Sequence, residues 1–154
     1  MNRRSEVSIP LDSIVFGYGP MIPFVAAAVG IWLMHRPWPM IALWLVTLWG
    51  ALILSFIAGV RRGFGFGRQT ASTRTEILTM LPYFVIAGLA LVVSSQLLAI
   101  ALLMLGFLLA AVLDRHAALN GDAPAHFARL RPPQFLIAVL ALAAIWLHLA
   151  LAGS

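Results

Sequence analysis

The sequence predicts an all-α, polytopic integral membrane protein with five transmembrane helices. Of its 154 residues, 62% are apolar and only 10% are charged, and the mean hydropathy is +1.00. A soluble domain usually has about 25% charged residues, and a soluble protein this apolar would expose patches that aggregate. The apolar residues form continuous runs instead of alternating with polar ones. This pattern favours helices over a β-barrel.

Crossing the hydrocarbon core of a bilayer takes about 20 mostly apolar residues in a helix, and five segments qualify. They are residues 14–34, 39–60, 77–95, 96–113 and 134–152, and together they form one membrane domain over 14–152. The third and fourth helices are joined only by "SSQ", which predicts a tight antiparallel hairpin. Pro10, Asp12 and the "GYGP" motif interrupt the first apolar run, so we expect a retained, kinked helix and not a cleaved signal peptide.

The arginines predict the orientation of these helices. Basic residues are retained on the cytoplasmic side of the membrane. With the N-terminus inside, every arginine except Arg36 falls in the cytoplasmic tail 1–13 or in the cytoplasmic loops 61–76 and 114–133. We therefore predict an N-in, C-out protein of the bacterial inner membrane. The same arrangement explains the net charge of +5, and we expect no nucleic-acid partner because the arginines border apolar runs.

Two pairs of short motifs suggest an internal repeat. "MIPFV" at 21–25 resembles "MLPYF" at 80–84, and each lies in the cytoplasmic half of an odd-numbered helix. The second and fourth helices both end in arginine, at "GVRRG" and "VLDRHA". These motifs fit a parallel two-plus-two repeat with the fifth helix appended. Chance similarity among apolar residues explains them at least as well.

Small residues recur every fourth position along the second helix, at Ala51, Ser55, Gly59, Gly63 and Gly67. On a helix this spacing places them in one stripe. In lipid, close approach of backbones through small residues is a main source of helix association, so we predict a helix-packing face. Each interior glycine costs about 1 kcal/mol in a helix, and we expect the helix to fray or turn near Gly63.

Arg61 and Arg62 follow this stripe, and two interpretations are open. They either anchor the topology and contact lipid phosphate at the interface, or Arg61 forms an ion pair with Asp114. Both of those residues lie where inward-running helices end, and Arg115 or Arg62 is the substitute member of the pair. A phosphate-binding loop is disfavoured, because "GFGFG" matches neither nucleotide-binding glycine pattern and no strand precedes it.

The sequence resembles an uncharacterised family of small bacterial membrane proteins. Three stretches carry the resemblance: "LILSFIAGVRRG", "LLAAVLDRHAA" and "HFARLRPPQFLIAVLALA". By this resemblance the family also includes mitochondrial transmembrane protein 69. The matching positions are Ser55, Phe56, Gly59, Val60, Arg61, Gly63, Asp114, Arg115, Arg129 and Arg131. Ala58 and Arg62 depart from the pattern, and Arg62 replaces an aromatic or histidine residue. The resemblance implies five membrane helices and supplies no catalytic residue.

His35 and His148 lie toward the outer side of the first and fifth helices. Imidazole is a common haem ligand, and two histidines at similar depth also suit a quinone headgroup. The simpler interpretation is a hydrogen bond to a neighbouring helix, because no second histidine shares a face with His148. We predict no metal site and no cofactor beyond bound phospholipid.

No acidic residue lies in the middle of a span, which argues against a pump or a proton-driven carrier. There are no cysteines, and we predict no catalytic residue and no enzymatic activity. The leading hypothesis is a non-catalytic accessory or assembly subunit of a larger respiratory or photosynthetic membrane complex. The alternative is a small carrier or channel for a neutral or lipid-like solute, with a cavity near Pro23 and Pro82. A haem- or quinone-binding protein is the third hypothesis.

Overall fold

The structure, a computed structural model, describes residue 15 and residues 17–63, 73–120 and 127–152. Within these residues the chain is all helical and contains no β-strand. The helices are α1 (Ile22–Leu33), α2 (Trp38–Gly63), α3 (Thr73–Val92), α4 (Gln96–Leu119) and α5 (Phe127–Ala152). The predicted tail 1–13, Gly67, and the acidic residue Asp122 of the second predicted loop lie outside the described residues.

Three helices are long and apolar enough to cross a membrane. They are α2, α4 and the segment Arg129–Ala152 of α5. Two further apolar helices, Gly19–Leu33 and Met80–Val92, are shorter. The all-helical class is therefore confirmed, and the length and composition of these three helices indicate a membrane protein.

The first apolar run is not one regular helix. A 3-10 helix, Gly19–Met21, leads directly into α1, and Pro20 and Pro23 lie in the first turns of these two elements. Proline lacks a backbone donor and its ring collides with the carbonyl one turn earlier, so a regular helix is interrupted here. Trp49 of α2 stabilises the turn, since its Nε1 donates to the Pro20 carbonyl oxygen at 2.9 Å.

Three of the described helices extend beyond the spans marked by the apolar runs. α2 continues to Gly63, α4 continues to Leu119, and α5 already begins at Phe127. Much of the segment 114–133, which the sequence assigns to a loop, is consequently helical. The tight α3–α4 hairpin is present, and the Ser95 hydroxyl caps α4 by accepting from the Leu98 amide at 3.3 Å.

The five helices form a ring in which each helix packs on its neighbours in sequence and α5 packs back on α1. α4 also contacts α2 across the ring. Aromatic rings fill the centre: Phe24 meets Phe107 edge to face at 5.2 Å between centroids, and Phe107 meets Phe135 at 5.9 Å. Such pairs stabilise beyond their area of contact, and all three side chains are fully buried.

Two glycines set the close approach of α2 and α4. A Cβ on Gly106 would lie 2.5 Å from Leu54 Cδ1, and one on Gly50 would lie 2.9 Å from Leu103 Cδ1. Each helix therefore places a leucine over a glycine of the other. Neither glycine belongs to the stripe that the sequence singles out.

The small-residue stripe is divided between the interior and the surface. Ala51 is buried and Ser55 is half-buried, whereas Gly59 and Gly63 are exposed. A Cβ on either of these glycines would meet no heavy atom of the described residues within 4 Å. Among the described residues, packing through the stripe involves only Ala51 and Ser55.

Candidate polar site at the arginine end

Three charged side chains meet at one end of the bundle, which we call the arginine end. Because α3 returns the chain across the bundle, α2 and α4 run in the same direction and α5 begins where they end. Arg61 lies near the end of α2, Asp114 lies in the last turns of α4, and Arg131 lies in the first turns of α5. The topology thus brings three separate elements to one point.

Asp114 connects the two arginines. Its Oδ1 lies 2.8 Å from Arg61 Nη1, and its Oδ2 lies 3.9 Å from Arg131 Nε. The side chains of Asp114, Arg61 and Arg131 are only 4%, 11% and 10% exposed. A charge-assisted bond in such a desolvated place is short and directional. The structure therefore contains the Arg61–Asp114 pair, one of the two interpretations that the sequence left open.

Sequence reasoning missed Arg131 as the third member. Its guanidinium carbon lies 4.4 Å from the centre of the Phe127 ring and 5.3 Å from that of Phe135. Aromatic faces attract such a cation. Phe127, Arg131 and Phe135 are spaced four residues apart, which places them on one helix face. This spacing is a sequence signal for Arg131, provided that the helix is known to begin at Phe127.

The site also holds polar atoms without partners in the part of the chain that the structure describes. Arg61 Nε, Arg131 Nε, the Tyr83 hydroxyl and Gln134 Oε1 are all buried and make no hydrogen bond. The Tyr83 hydroxyl lies near the Asp114 carboxylate but outside hydrogen-bonding geometry. Most buried polar atoms in proteins are hydrogen-bonded. This end of the bundle consequently has unused donor and acceptor capacity.

The remaining predicted arginines lie differently. Arg62 is half-buried and has its own interaction within the chain. Arg115, the residue after Asp114, is exposed. An exposed arginine at a helix end fits the role of an interfacial anchor. Neither residue replaces Arg61 in the contact with Asp114.

The two histidines lie at the opposite end, which we call the tryptophan end. His35 is exposed just after α1, and His148 is half-buried in α5. Trp32, and not His35, packs against His148, with the two rings 5.0 Å apart and edge to face. The Trp32 Nε1 donates to the Ala144 carbonyl oxygen at 3.0 Å. No cluster of three or more metal-binding side chains occurs among the described residues.

Two of the cavities that described residues border bear on function. The first, the α1–α2 groove, has a volume of about 440 Å³. Its lining is Pro23, Ala26, Ala27, Gly30, Met34, Trp38, Ile41, Ala42, Leu45, Val46, Leu48, Trp49 and Leu52. It borders Pro23, as a carrier cavity would, but its walls are apolar and Pro82 is not among them.

The second cavity, the Arg131 pocket, has a volume of about 230 Å³ and lies at the arginine end. Its lining is Gly17, Pro20, Ile53, Phe56, Ile57, Val60, Phe127, Leu130, Arg131 and Gln134. Two of the side chains with unpartnered atoms, Arg131 and Gln134, thus form part of its wall.

Comparison with known proteins places this architecture in a family. No curated protein and no solved structure matches the chain. Residues 9–150 match the family model described as "Protein of unknown function (DUF3429)". The match covers all five helices almost completely and includes Arg61, Asp114 and Arg131. The chain therefore belongs to the DUF3429 family of proteins of unknown function.

Proposed function

We propose that this protein is a non-catalytic accessory or assembly subunit that docks to a larger complex of the bacterial inner membrane. Respiratory and photosynthetic assemblies are the hosts that we expect. The observation that carries the proposal is an exposed face of α2 that combines a groove with uncovered glycines. This role requires no catalytic activity, because the protein would act by binding its partner through this surface.

The docking face follows one side of α2. Leu45 and Leu52 line the α1–α2 groove and are half exposed, and Gly59 and Gly63 continue the same side with open space in front of them. Separations of seven, seven and four residues keep these positions on one helix face. In lipid, uncovered glycines let a second backbone approach closely. A transmembrane helix of the host complex is the partner that fits, with one of its side chains in the groove.

The membrane arrangement proposed with this role has five spans, an inside N-terminus and an outside C-terminus. The two shorter apolar helices pack in the same ring as the three long ones, which supports a common depth in the bilayer. Basic residues at the arginine end support placing that end in the cytoplasm. Bound phospholipid belongs to the same proposal. So does the relationship to mitochondrial transmembrane protein 69, which depends on the helix-end motifs described above.

Affinity purification in a mild detergent tests the docking. We expect the tagged protein to carry a defined set of membrane proteins with it, and Gly59→Leu to lose them because the new side chain holds the partner backbone away. Gly88→Leu is the matched control, since Gly88 is an exposed helical glycine of α3 with no heavy atom within 4 Å of a Cβ. A chain that purifies alone, or equal loss with both variants, would contradict the proposal.

The carrier for a lipid-like solute remains the second candidate, because the α1–α2 groove is large and apolar. Its walls suit a hydrocarbon chain and do not suit a polar solute. Protein reconstituted into liposomes would then accelerate the movement of a fluorescent lipid across the bilayer, whereas a docking subunit would leave that rate unchanged.

The third candidate, a haem or quinone site near His148, is tested by an absorption spectrum and by extraction of the purified protein. A Soret band would support haem. A quinone in the extract would support the quinone site.

A further inference from the structure

We propose that the Arg131 pocket binds an anionic amphiphile, with its phosphate or carboxylate group beside Arg131 and Gln134. Its hydrocarbon part would lie against the apolar wall supplied by α2. This site gives a location to the bound phospholipid of the proposed function, and it borders the docking face through Phe56 of α2. Its test measures lipid binding and not docking, so the two can fail separately.

The size and position of the pocket suit a headgroup. Its volume is about 230 Å³, which is smaller than the roughly 300–1,000 Å³ of typical small-molecule sites. It therefore accommodates a charged group and a short piece of chain, while the rest of a lipid would remain in the bilayer. The walls come from the segment before α1, from α2 and from the start of α5.

Two polar side chains of the wall each have one buried atom without a hydrogen bond to the described chain. Gln134 is only 4% exposed and Arg131 only 9%, yet Gln134 Oε1 and Arg131 Nε make no hydrogen bond to the described chain. A bare buried polar group is costly. The amide of glutamine can be turned over to present its NH₂ group. Arg131 Nε faces Asp114 at 3.9 Å, so the donors offered to an anion would be the turned amide of Gln134 and the other N–H groups of the Arg131 guanidinium.

The charges favour an anion. Among the described members of this cluster, the guanidinium groups of Arg61 and Arg131 face a single carboxylate, that of Asp114. Asp114 is bound closely by Arg61, at 2.8 Å, and lies 3.9 Å from Arg131. Buried ions are normally paired, so two guanidinium groups beside one carboxylate leave this cluster with one positive charge that no described carboxylate balances. One negative charge in the pocket balances it.

The rest of the wall favours an amphiphile over a free anion. Ile53, Ile57 and Val60 of α2 and Leu130 of α5 face the same space and provide no polar group. A free inorganic ion would leave these side chains without contacts, whereas an acyl chain would cover them. Basic side chains at a helix end commonly meet lipid headgroups at this depth.

Native mass spectrometry of the full chain in detergent tests the site. The probes are phosphatidylglycerol, oleate, phosphatidylcholine and inorganic phosphate. We expect phosphatidylglycerol or oleate to bind at least about tenfold more tightly than phosphatidylcholine, the scale of one charge-assisted hydrogen bond, and inorganic phosphate not to bind. Equal affinity for phosphatidylcholine would overturn the anion preference. Binding of inorganic phosphate as tightly as the lipid would overturn the amphiphile.

Gln134→Leu tests the role of the amide, because it preserves the shape and removes the polar atoms. Because one end of the amide has no hydrogen bond to the described chain, we expect unchanged or higher stability and roughly tenfold weaker binding of the anionic amphiphile. Gln96→Leu is the matched control, since Gln96 is exposed at the start of α4, about 27 Å along that helix from Asp114. It should leave binding unchanged.

Lower stability of Gln134→Leu with unchanged binding would show a purely structural glutamine and overturn the proposal. If Gln134→Leu does not fold, Val60→Phe tests the site instead, because it narrows the pocket and leaves Arg131 and Gln134 in place. We expect Val60→Phe to abolish binding of the anionic amphiphile. Wild-type binding by this variant would also overturn the site.

Discussion

At the arginine end of the bundle, α2, α4 and α5 are joined through one carboxylate, that of Asp114, which lies between Arg61 and Arg131. At the tryptophan end, α1 and α5 are joined through Trp32, which donates one neutral hydrogen bond to the Ala144 carbonyl and packs against His148. The first connection is buried and charged. The second is partly exposed, since Trp32 is 47% exposed.

This difference predicts unequal sensitivity to mutation. A buried ion pair contributes little compared with apolar residues of the same shape, but removal of one partner leaves an uncompensated charge. A neutral hydrogen bond near the surface has a smaller effect, because water or lipid headgroups replace the lost partner. We therefore expect substitutions at the arginine end to destabilise the bundle more than substitutions at the tryptophan end.

Asp114→Ala should have the largest effect. It leaves Arg61 and Arg131 without their carboxylate, and we expect a loss of about 3–5 kcal/mol in the free energy of unfolding. Tryptophan fluorescence during unfolding by SDS in mixed micelles measures this quantity. Arg115→Ala is the neighbouring control, and as an exposed substitution it should change stability by less than about 0.5 kcal/mol.

Arg61→Leu sharpens the same prediction. Asp114 keeps a second cation, Arg131, at 3.9 Å, so we expect a smaller loss than for Asp114→Ala. Equal stability of Asp114→Ala and Arg115→Ala would show that the carboxylate does not hold the arginine end together.

Gly106→Ala should have an intermediate effect, because it acts between the two ends where α2 and α4 approach most closely. The added methyl group would meet Leu54 at 2.5 Å and Ile86 at 3.1 Å, and both neighbours would have to shift. Overpacking of this kind costs about 1–3 kcal/mol. In the same SDS titration, Gly88→Ala should show no loss, since a Cβ there meets nothing within 4 Å. Similar results for both glycines would contradict the close approach.

Trp32→Phe tests the tryptophan end directly. It retains a ring against His148 and removes the donor to Ala144, so we expect a loss of about 0.5–1.5 kcal/mol. Trp44→Phe serves as the control, because Trp44 is 62% exposed on α2. A loss as large as that of Asp114→Ala would remove the contrast between the two ends.

The arginine end also shows which features of the molecule the sequence predicts. Apolar runs identify the membrane class because a helix must be apolar over the part of its length that crosses the hydrocarbon core. They do not identify where the helices end, and the polar residues at the start of α5 predict a loop where the structure has a helix. Arg131 was therefore not placed beside Asp114. The sequence does suggest the Arg61–Asp114 pair, because both residues follow apolar runs that cross the membrane in the same direction.

The sequence also does not predict the roles of Gly50 and Gly106 in packing, for a related reason. A four-residue spacing marks a helix face, such as Ala51 to Gly63, but does not say what lies opposite. Gly50 and Gly106 are single glycines on different helices, and their role depends on leucines that reach them from the other helix. Such reciprocal contacts become visible only once α2 and α4 are known to be neighbours.

His148→Phe should have the smallest effect on stability. A phenyl ring keeps the edge-to-face contact with Trp32, which lies 5.0 Å away, and we expect a change of less than about 0.5 kcal/mol. The substitution also separates packing from ligand binding, because phenylalanine cannot coordinate haem iron or donate a hydrogen bond to a quinone. If the absorption spectrum and extractable quinone are the same in both proteins, His148 acts through its contact with Trp32. Loss of a Soret band or of bound quinone in the variant would instead show that the tryptophan end is a ligand site. The two ends would then no longer differ simply as a charged and a neutral connection between helices.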